Sequence, residues 1–144
     1  MGKQTKLPAE TYTLINKQRT HAINRKALRG FLHELVPELG IRQQSFSIVF
    51  ITDQMIQRYN DQYRGFDRPT DVLSFSGDQL YLGDILISSE TAYNQALKSK
   101  TLSFERNLQR LILHGLLHLM GYDHETDDGQ MRTIERRLRR RFRC

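Results

Sequence analysis

Apolar positions along the chain recur with two periods, and each switch between them marks a new element. TYTLIN (11–16) alternates weakly, as an edge strand does. In NRKALRGFLHELVPELG (24–40), residues Ala27, Leu28, Phe31, Leu32 and Leu35 recur at helical spacing, with Asn24 as a cap and Gly40 as a stop. FSIVFIT (46–52) is a β-branched and aromatic run of strand length, and DQMIQRYNDQYR (53–64) resumes a helical period through Met55, Ile56, Tyr59 and Tyr63. GFDRPT (65–70) breaks that helix, because Pro69 bars the helical conformation at Arg68. DVLSF and YLGDILIS then read as two strands of a hairpin around a turn at Gly77-Asp78.

SSETAYNQALK (88–98) opens with serines and an acid in its first turn, as a helix N-terminus prefers. The next helix begins near Ser103 and runs through FERNLQRLILHGLLHLM. From Leu111 to Met120 it is apolar on nearly every side, which predicts a helix through the middle of the core. Gly121 ends it, and TDDGQMRTIERRLRRRF (126–142) supplies a last amphipathic helix with Thr126 as its cap. There is no internal repeat and no linker, so the expectation is one α+β domain, residues 1–144, with about four strands and five helices.

Composition narrows the setting. The only cysteine is Cys144, at the end of the chain and expected to be frayed, so neither a disulfide framework nor a paired-cysteine metal site can form, which fits a reducing cytoplasm. The opening stretch MGKQTKLPAE has no apolar signal core. The greasiest run, LILHGLLHLM, is too short to cross a membrane, so no membrane association is expected. The chain carries 22 Lys+Arg against 16 Asp+Glu, a net +6, which favours a polyanionic partner. Seven arginines fall between Arg132 and Arg143 against the single acid Glu135. That run reads either as a solvated helix face or as a nucleic-acid contact through Arg139, Arg140 and Arg141.

The candidate chemistry lies in HGLLHLMGYDH (114–124). His114 and His118 stand four apart and share a helix face, so their imidazoles can converge on one point. Gly121 can take the left-handed conformation that turns the chain back, bringing His124 in from a third direction. Three imidazoles with an open fourth position make a catalytic rather than a structural zinc arrangement. Unpaired histidines on so apolar a helix would otherwise carry a desolvation cost. His21 and His33 lie on other segments and read as surface or structural residues.

The offsets of His114, His118, Gly121 and His124 are those of a zinc-protease signature, but Gly115 stands where that signature has its glutamate. Peptide hydrolysis needs that carboxylate to carry protons. Glycine costs about 1 kcal/mol relative to alanine inside a helix, so a strand or a substrate backbone is expected to pack closely against this turn. The chain also lacks a nucleophile-elbow serine, a phosphate-binding loop and a GxGxxG turn. The general base must therefore be found elsewhere, and two readings of the motif stay open: a zincin-type metallopeptidase without its usual base, and a non-catalytic RNA-binding assembly factor whose metal is structural.

Taken with NDQYRGFDRPTDVLSF (60–75) and the Leu82-Gly83-Asp84-Ile85 block, HGLLHLMGYDH resembles the YbeY family of single-strand-specific, metal-dependent endoribonucleases, which act in ribosomal RNA maturation and ribosome quality control. The resemblance implies a zincin-like α+β fold, with a mixed four-stranded sheet packed around a buried central helix. It implies Zn2+, or another divalent transition metal such as Ni2+, on His114, His118 and His124. It implies Arg64 and His114 as catalytic residues, and single-stranded RNA, ribosomal RNA of the small subunit near its 3′ end and ribosomal particles as partners, with no nucleotide cofactor. Arg64 would stabilise charge on a phosphate, although as a helix-end cation it also suits the dipole of 53–64. Arg68 lies on the same loop and is a further candidate for RNA contact. Asp71 and Asp123 are candidate acceptors for the second ring nitrogen of a ligand, and Asp123 equally suits a cap on the turn. Tyr63, Phe66 and Phe75 read as core aromatics or as stacking faces for bases.

Overall fold

The computed structural model describes residues 11–144; the stretch MGKQTKLPAE, read above as lacking a signal core, lies outside them. The elements run β1 (Tyr12–Asn16), α1 (Arg25–Glu38), β2 (Ser45–Ile51), α2 (Asp53–Arg64), β3 (Val72–Ser76), β4 (Tyr81–Ser88), α3 (Ser89–Lys98), α4 (Phe104–Leu119) and α5 (Gln130–Phe142). Asn24, Thr52, Ser88 and Ser103 each accept a backbone N–H at the start of their helix, so side-chain oxygens set four of the five helix starts. Thr52, read from sequence as the end of a strand, belongs to the α2 cap.

The four strands form one mixed sheet in the order β1-β2-β4-β3. β1 and β2, and β2 and β4, pair in parallel, while β3 and β4 form the expected antiparallel hairpin. Its turn is held by Asp78, whose Oδ1 accepts from the backbone N–H of Leu80 and Tyr81, both at 3.0 Å. β1 and β3 are therefore the edges, and β3 lies next to α4.

Strand alternation divides the apolar side chains between the two faces. Ile48, Ile85 and Ile87 join Leu108, Ile112 and Leu116 of α4 and Leu28, Leu32 and Leu35 of α1 in the main core. Ile51, Leu73 and Leu86 turn the other way and pack with Ile56 of α2 in a smaller cluster. α4 is buried along most of its length, as its all-round apolar sequence requires. The close packing expected at Gly115 is present: a Cβ there would meet Ile85 Cγ2 at 2.8 Å and Ser74 Oγ at 3.1 Å, so the object against that turn is the β3–β4 hairpin.

Two expectations near the C-terminus need correction. Thr126 does not cap the last helix, which begins at Gln130. Instead Asp127, one residue nearer the helix, accepts from the N–H groups of Gly129 (2.8 Å) and Met131 (2.9 Å), while the Thr126 hydroxyl donates to the Asp123 carbonyl. Cys144 is not frayed. Its N–H donates to the Arg139 carbonyl at 2.9 Å, its carbonyl accepts from Arg110 at 3.0 Å, and it is buried at the edge of the core.

Candidate metal centre

α4 carries His114 and His118 on the face left open beside β3, and Gly121 turns the chain after its last turn. Gly121 has φ 100°, a conformation that costs a Cβ-bearing residue, and the N–H groups of Gly121 and Tyr122 close the helix onto the carbonyls of His118 and Leu117, each at 3.0 Å. His124 then faces the other two. One nitrogen from each of the three rings lies within 4.8 Å of one from each of the others.

The ring hydrogen bonds fix which nitrogens are free. Nδ1 of His118 lies 3.0 Å from the Tyr122 carbonyl, which can only accept, so this nitrogen carries the proton. Nδ1 of His114 lies 2.9 Å from the Glu135 carboxylate and donates in the same way. In the neutral rings both Nε2 atoms are then bare lone pairs, and they face each other at 3.1 Å. Two lone pairs at that distance repel unless a cation lies between them, so the donor set fits a metal ion. Burial, and then the charge of neighbouring His114, push the His118 imidazole below its ordinary pKa and keep it neutral.

Glu135 was the acid that stood out only as an exception in the basic run, and it is the residue sequence reasoning missed. Burial alone would raise its pKa, but the hydrogen bond and charge of His114, followed by Arg139, outweigh that and hold the carboxyl below its usual range. Arg139 donates to the same oxygen at 3.1 Å. Neither Asp71 nor Asp123 accepts from a ring nitrogen. Asp71 is taken up by the Val72 N–H and the Gln95 amide, and Asp123 by the Glu125 N–H, since both lie where free backbone donors reach them first. Asp123 therefore serves the turn.

An open cleft of about 550 Å³ extends from the histidines along β3, lined by Arg64, Ser74 and Ser76 as well as by Asp71 and Asp123. Arg64 is the last residue of α2, before Gly65 in the left-handed conformation. It is exposed, has no carboxylate within ion-pair distance among the described residues, and its guanidinium lies 5.3 Å from the centre of the Phe66 ring. Arg68 covers the same ring at 5.0 Å and does not line the cleft. Tyr63 and Phe66 are exposed, and Phe75 packs against the smaller apolar cluster.

The arginines of α5 do not act as one surface. Arg139 lies with Glu135, Arg140 is exposed, and Arg141 pairs with Glu34 (3.7 Å) and Glu38 (3.4 Å) of α1. His21 stacks on Tyr93 with ring centres 4.1 Å apart, and His33 is exposed.

The family model described as endoribonuclease YbeY matches residues 10–143. The chain belongs to the YbeY family. It is 38% identical to the endoribonuclease YbeY of a Sulfurihydrogenibium species, over 80% of each chain. With the endoribonuclease YbeY of Halalkalibacterium halodurans it shares 36% identity, over 94% of this chain and 92% of that one. Among solved structures, the solution structure of TM1509 from Thermotoga maritima has the same fold, with a TM-score of 0.58 at 24% identity over 91% of this chain and 88% of that one.

Proposed function

We propose that this YbeY-family chain is a metal-dependent endoribonuclease that cuts single-stranded RNA, and that its substrate is ribosomal RNA undergoing maturation near the 3′ end of the small subunit. The observation that carries the reading is the approach of His114 Nε2 to His118 Nε2 at 3.1 Å, with Nδ1 of each ring on an acceptor, facing a cleft that Arg64 also lines. His114, His118 and His124 would hold the ion, with zinc favoured by three imidazoles and nickel an alternative. When bound, the ion polarises a phosphate oxygen of the strand.

The rest falls to the chain's own side chains. Arg64, with no carboxylate in ion-pair distance among the described residues, offers its fork to the non-bridging oxygens, where negative charge grows as the phosphodiester is attacked. Glu135 and the Tyr122 carbonyl hold the His114 and His118 rings in the tautomer that keeps Nε2 available. His114 thereby links the ion site to the partly buried carboxylate of Glu135 on α5, which is the sense in which it is catalytic. Phe66, Tyr63 and Arg68 form an exposed rim beside Arg64 on which unpaired bases can stack.

The packing at residue 115 weighs against the peptidase reading: its Cβ space is filled by Ile85 and its carbonyl accepts from Ser74, so no carboxylate fits at the protease base position. Among the described residues no helix is long and apolar enough to cross a membrane. Action on ribosomal particles in the cytoplasm is part of the same proposal. Incubating the metal-loaded protein with a labelled RNA, alone and annealed to its complement, tests it: the single strand is cut and the duplex is spared.

A further inference from the structure

Arg110 and His114 stand four apart on α4, and Glu135 and Arg139 stand four apart on α5, so the two helices meet twice on neighbouring turns. At one meeting His114 is bonded to Glu135. At the next, two cations meet: Arg110 and Arg139 line the same pocket of about 330 Å³, together with Asn107 and Gln95. This pocket shares His114, Asp71 and Val72 with the histidine cleft, so the two are neighbouring parts of one surface.

The pocket has more donors than acceptors. Arg110 has no Asp or Glu side chain within ion-pair distance among the described residues, and it donates to the main-chain oxygen of Cys144 at 3.0 Å. Arg139 shares a single Glu135 oxygen with His114. Both arginines keep a buried Nε with no partner. Among the described residues Asp71 is the one carboxylate that lines the pocket, and its two oxygens already accept from the Val72 N–H (2.8 Å) and the Gln95 amide (3.1 Å). Burial, and then the like charge of Arg139, lower the pKa of Arg110 by more than Cys144 and Glu135 raise it, and an anion held between the two guanidiniums opposes that lowering.

We propose that this pocket is a phosphate subsite beside the metal centre, taking a backbone phosphate of the same RNA strand whose neighbouring linkage lies in the histidine cleft. Guanidiniums suit this ligand because their paired N–H groups match phosphate oxygens. The subsite rests on the reading of the cleft as an RNA-cleaving centre. It sets where the strand lies and takes no part in the chemistry. Arg110 is a positioning residue, and its loss shows in affinity rather than in the saturated rate.

The test measures binding of a fluorescent, uncleavable 2′-O-methyl single strand to the metal-loaded protein over a range of salt. The parent is compared with Arg110→Gln, Arg110→Lys, Gln95→Glu and, as a distant charge change, Lys26→Gln. Arg110→Gln is expected to bind roughly five-fold more weakly, as for loss of one part-exposed ion contact. Its slope of log affinity against log salt is expected to fall by about 0.7, the share of one phosphate on a single strand. Gln95→Glu, which leaves the Arg110 contact to Cys144 in place, should weaken binding to a similar degree, while Arg110→Lys keeps the parent slope and Lys26→Gln keeps the parent affinity. A parent that does not bind the strand overturns the RNA reading and this subsite together. A parent that binds and cleaves RNA, with Arg110→Gln and Gln95→Glu matching its affinity and slope, overturns the subsite alone.

Discussion

The carboxylate of Glu135 accepts a 2.9 Å hydrogen bond from Nδ1 of His114, across the interface between α5 and α4. The two residues are 21 positions apart, yet the bond determines which nitrogen of His114 faces the cleft. Removing the acceptor frees the ring to rotate and to change tautomer, and a supporting partner of this kind typically carries 10–100-fold in metal affinity. Glu135→Ala is therefore expected to weaken metal binding by about 10–100-fold, while Glu135→Gln, whose amide oxygen still accepts, loses less. Competition with a chromogenic chelator checks both. Equal affinity of Glu135→Ala and the parent would remove Glu135 from the site.

Gly115 gives a prediction about the fold alone. A Cβ at this position meets Ile85 Cγ2 at 2.8 Å, inside the hairpin packing, so Gly115→Ala gains helix propensity but forces β4 away from α4. Overpacking of this kind costs about 1–3 kcal/mol, against about 1 kcal/mol gained from propensity, so a net loss of about 1 kcal/mol is expected. Urea unfolding measures it, and a variant as stable as the parent contradicts the packing described. Gly115→Glu is expected to lose more stability and to gain no peptidase activity, which hydrolysis of a casein substrate would reveal.

What the sequence revealed was what local spacing encodes. The three histidines, the turn at Gly121 and the tight contact at Gly115 are all local consequences of residues 114–124, and the apolar periods marked the helices and strands to within a few residues. The partners of those histidines were not legible, because Glu135 reaches His114 only through the packing of α5 on α4, and its neighbours in sequence are arginines. The same holds for Arg141, whose counter-charges Glu34 and Glu38 lie a hundred residues away on α1, and for Cys144, which looked free at the end of the chain but is covered by Arg139 and Arg110. Asp71 and Asp123 had the right chemistry to support a ligand, but a backbone N–H takes one oxygen of each, and the Gln95 amide takes the other oxygen of Asp71.

Cys144 titrates in a way that links pH to stability. Burial raises its thiol pKa, although Arg110, Arg139 and Arg106 oppose that. The thiol in the unfolded chain loses its proton first as pH rises, so the stability this residue contributes is complete below the ordinary thiol value and is lost as pH climbs toward the raised folded value. Above about pH 8.5, the ordinary thiol range, the parent is expected to lose stability more steeply than Cys144→Ala. Urea midpoints across that range check this, and parallel curves contradict it. At neutral pH, alkylation of the folded protein by iodoacetamide should be slower than alkylation in denaturant.

His124 lies beyond the end of α4 and outside the apolar core, whereas His114 and His118 project from the buried helix. His124→Ala is expected to lower metal affinity by at least 10-fold, on the scale of a lost supporting partner, while leaving the unfolding free energy of the metal-free protein within about 0.5 kcal/mol of the parent. Elemental analysis of the purified variant and urea unfolding of the stripped protein read the two effects separately. Metal content equal to the parent's would exclude His124 as a ligand.

The most direct test of the account is cleavage of a labelled single-stranded RNA at saturating concentration by three samples: metal-loaded protein, the same protein stripped by a chelator, and metal-loaded Arg64→Ala. The loaded protein should cut the strand, and the stripped protein should stop and resume when metal is restored. Arg64→Ala should turn over roughly 10²-fold more slowly, as for loss of one charge-stabilising donor, with metal content and RNA affinity close to the parent's. Cleavage by the stripped protein at the loaded rate, or by Arg64→Ala at the parent rate, would contradict the assignment of RNA cleavage to the histidine cleft and its arginine.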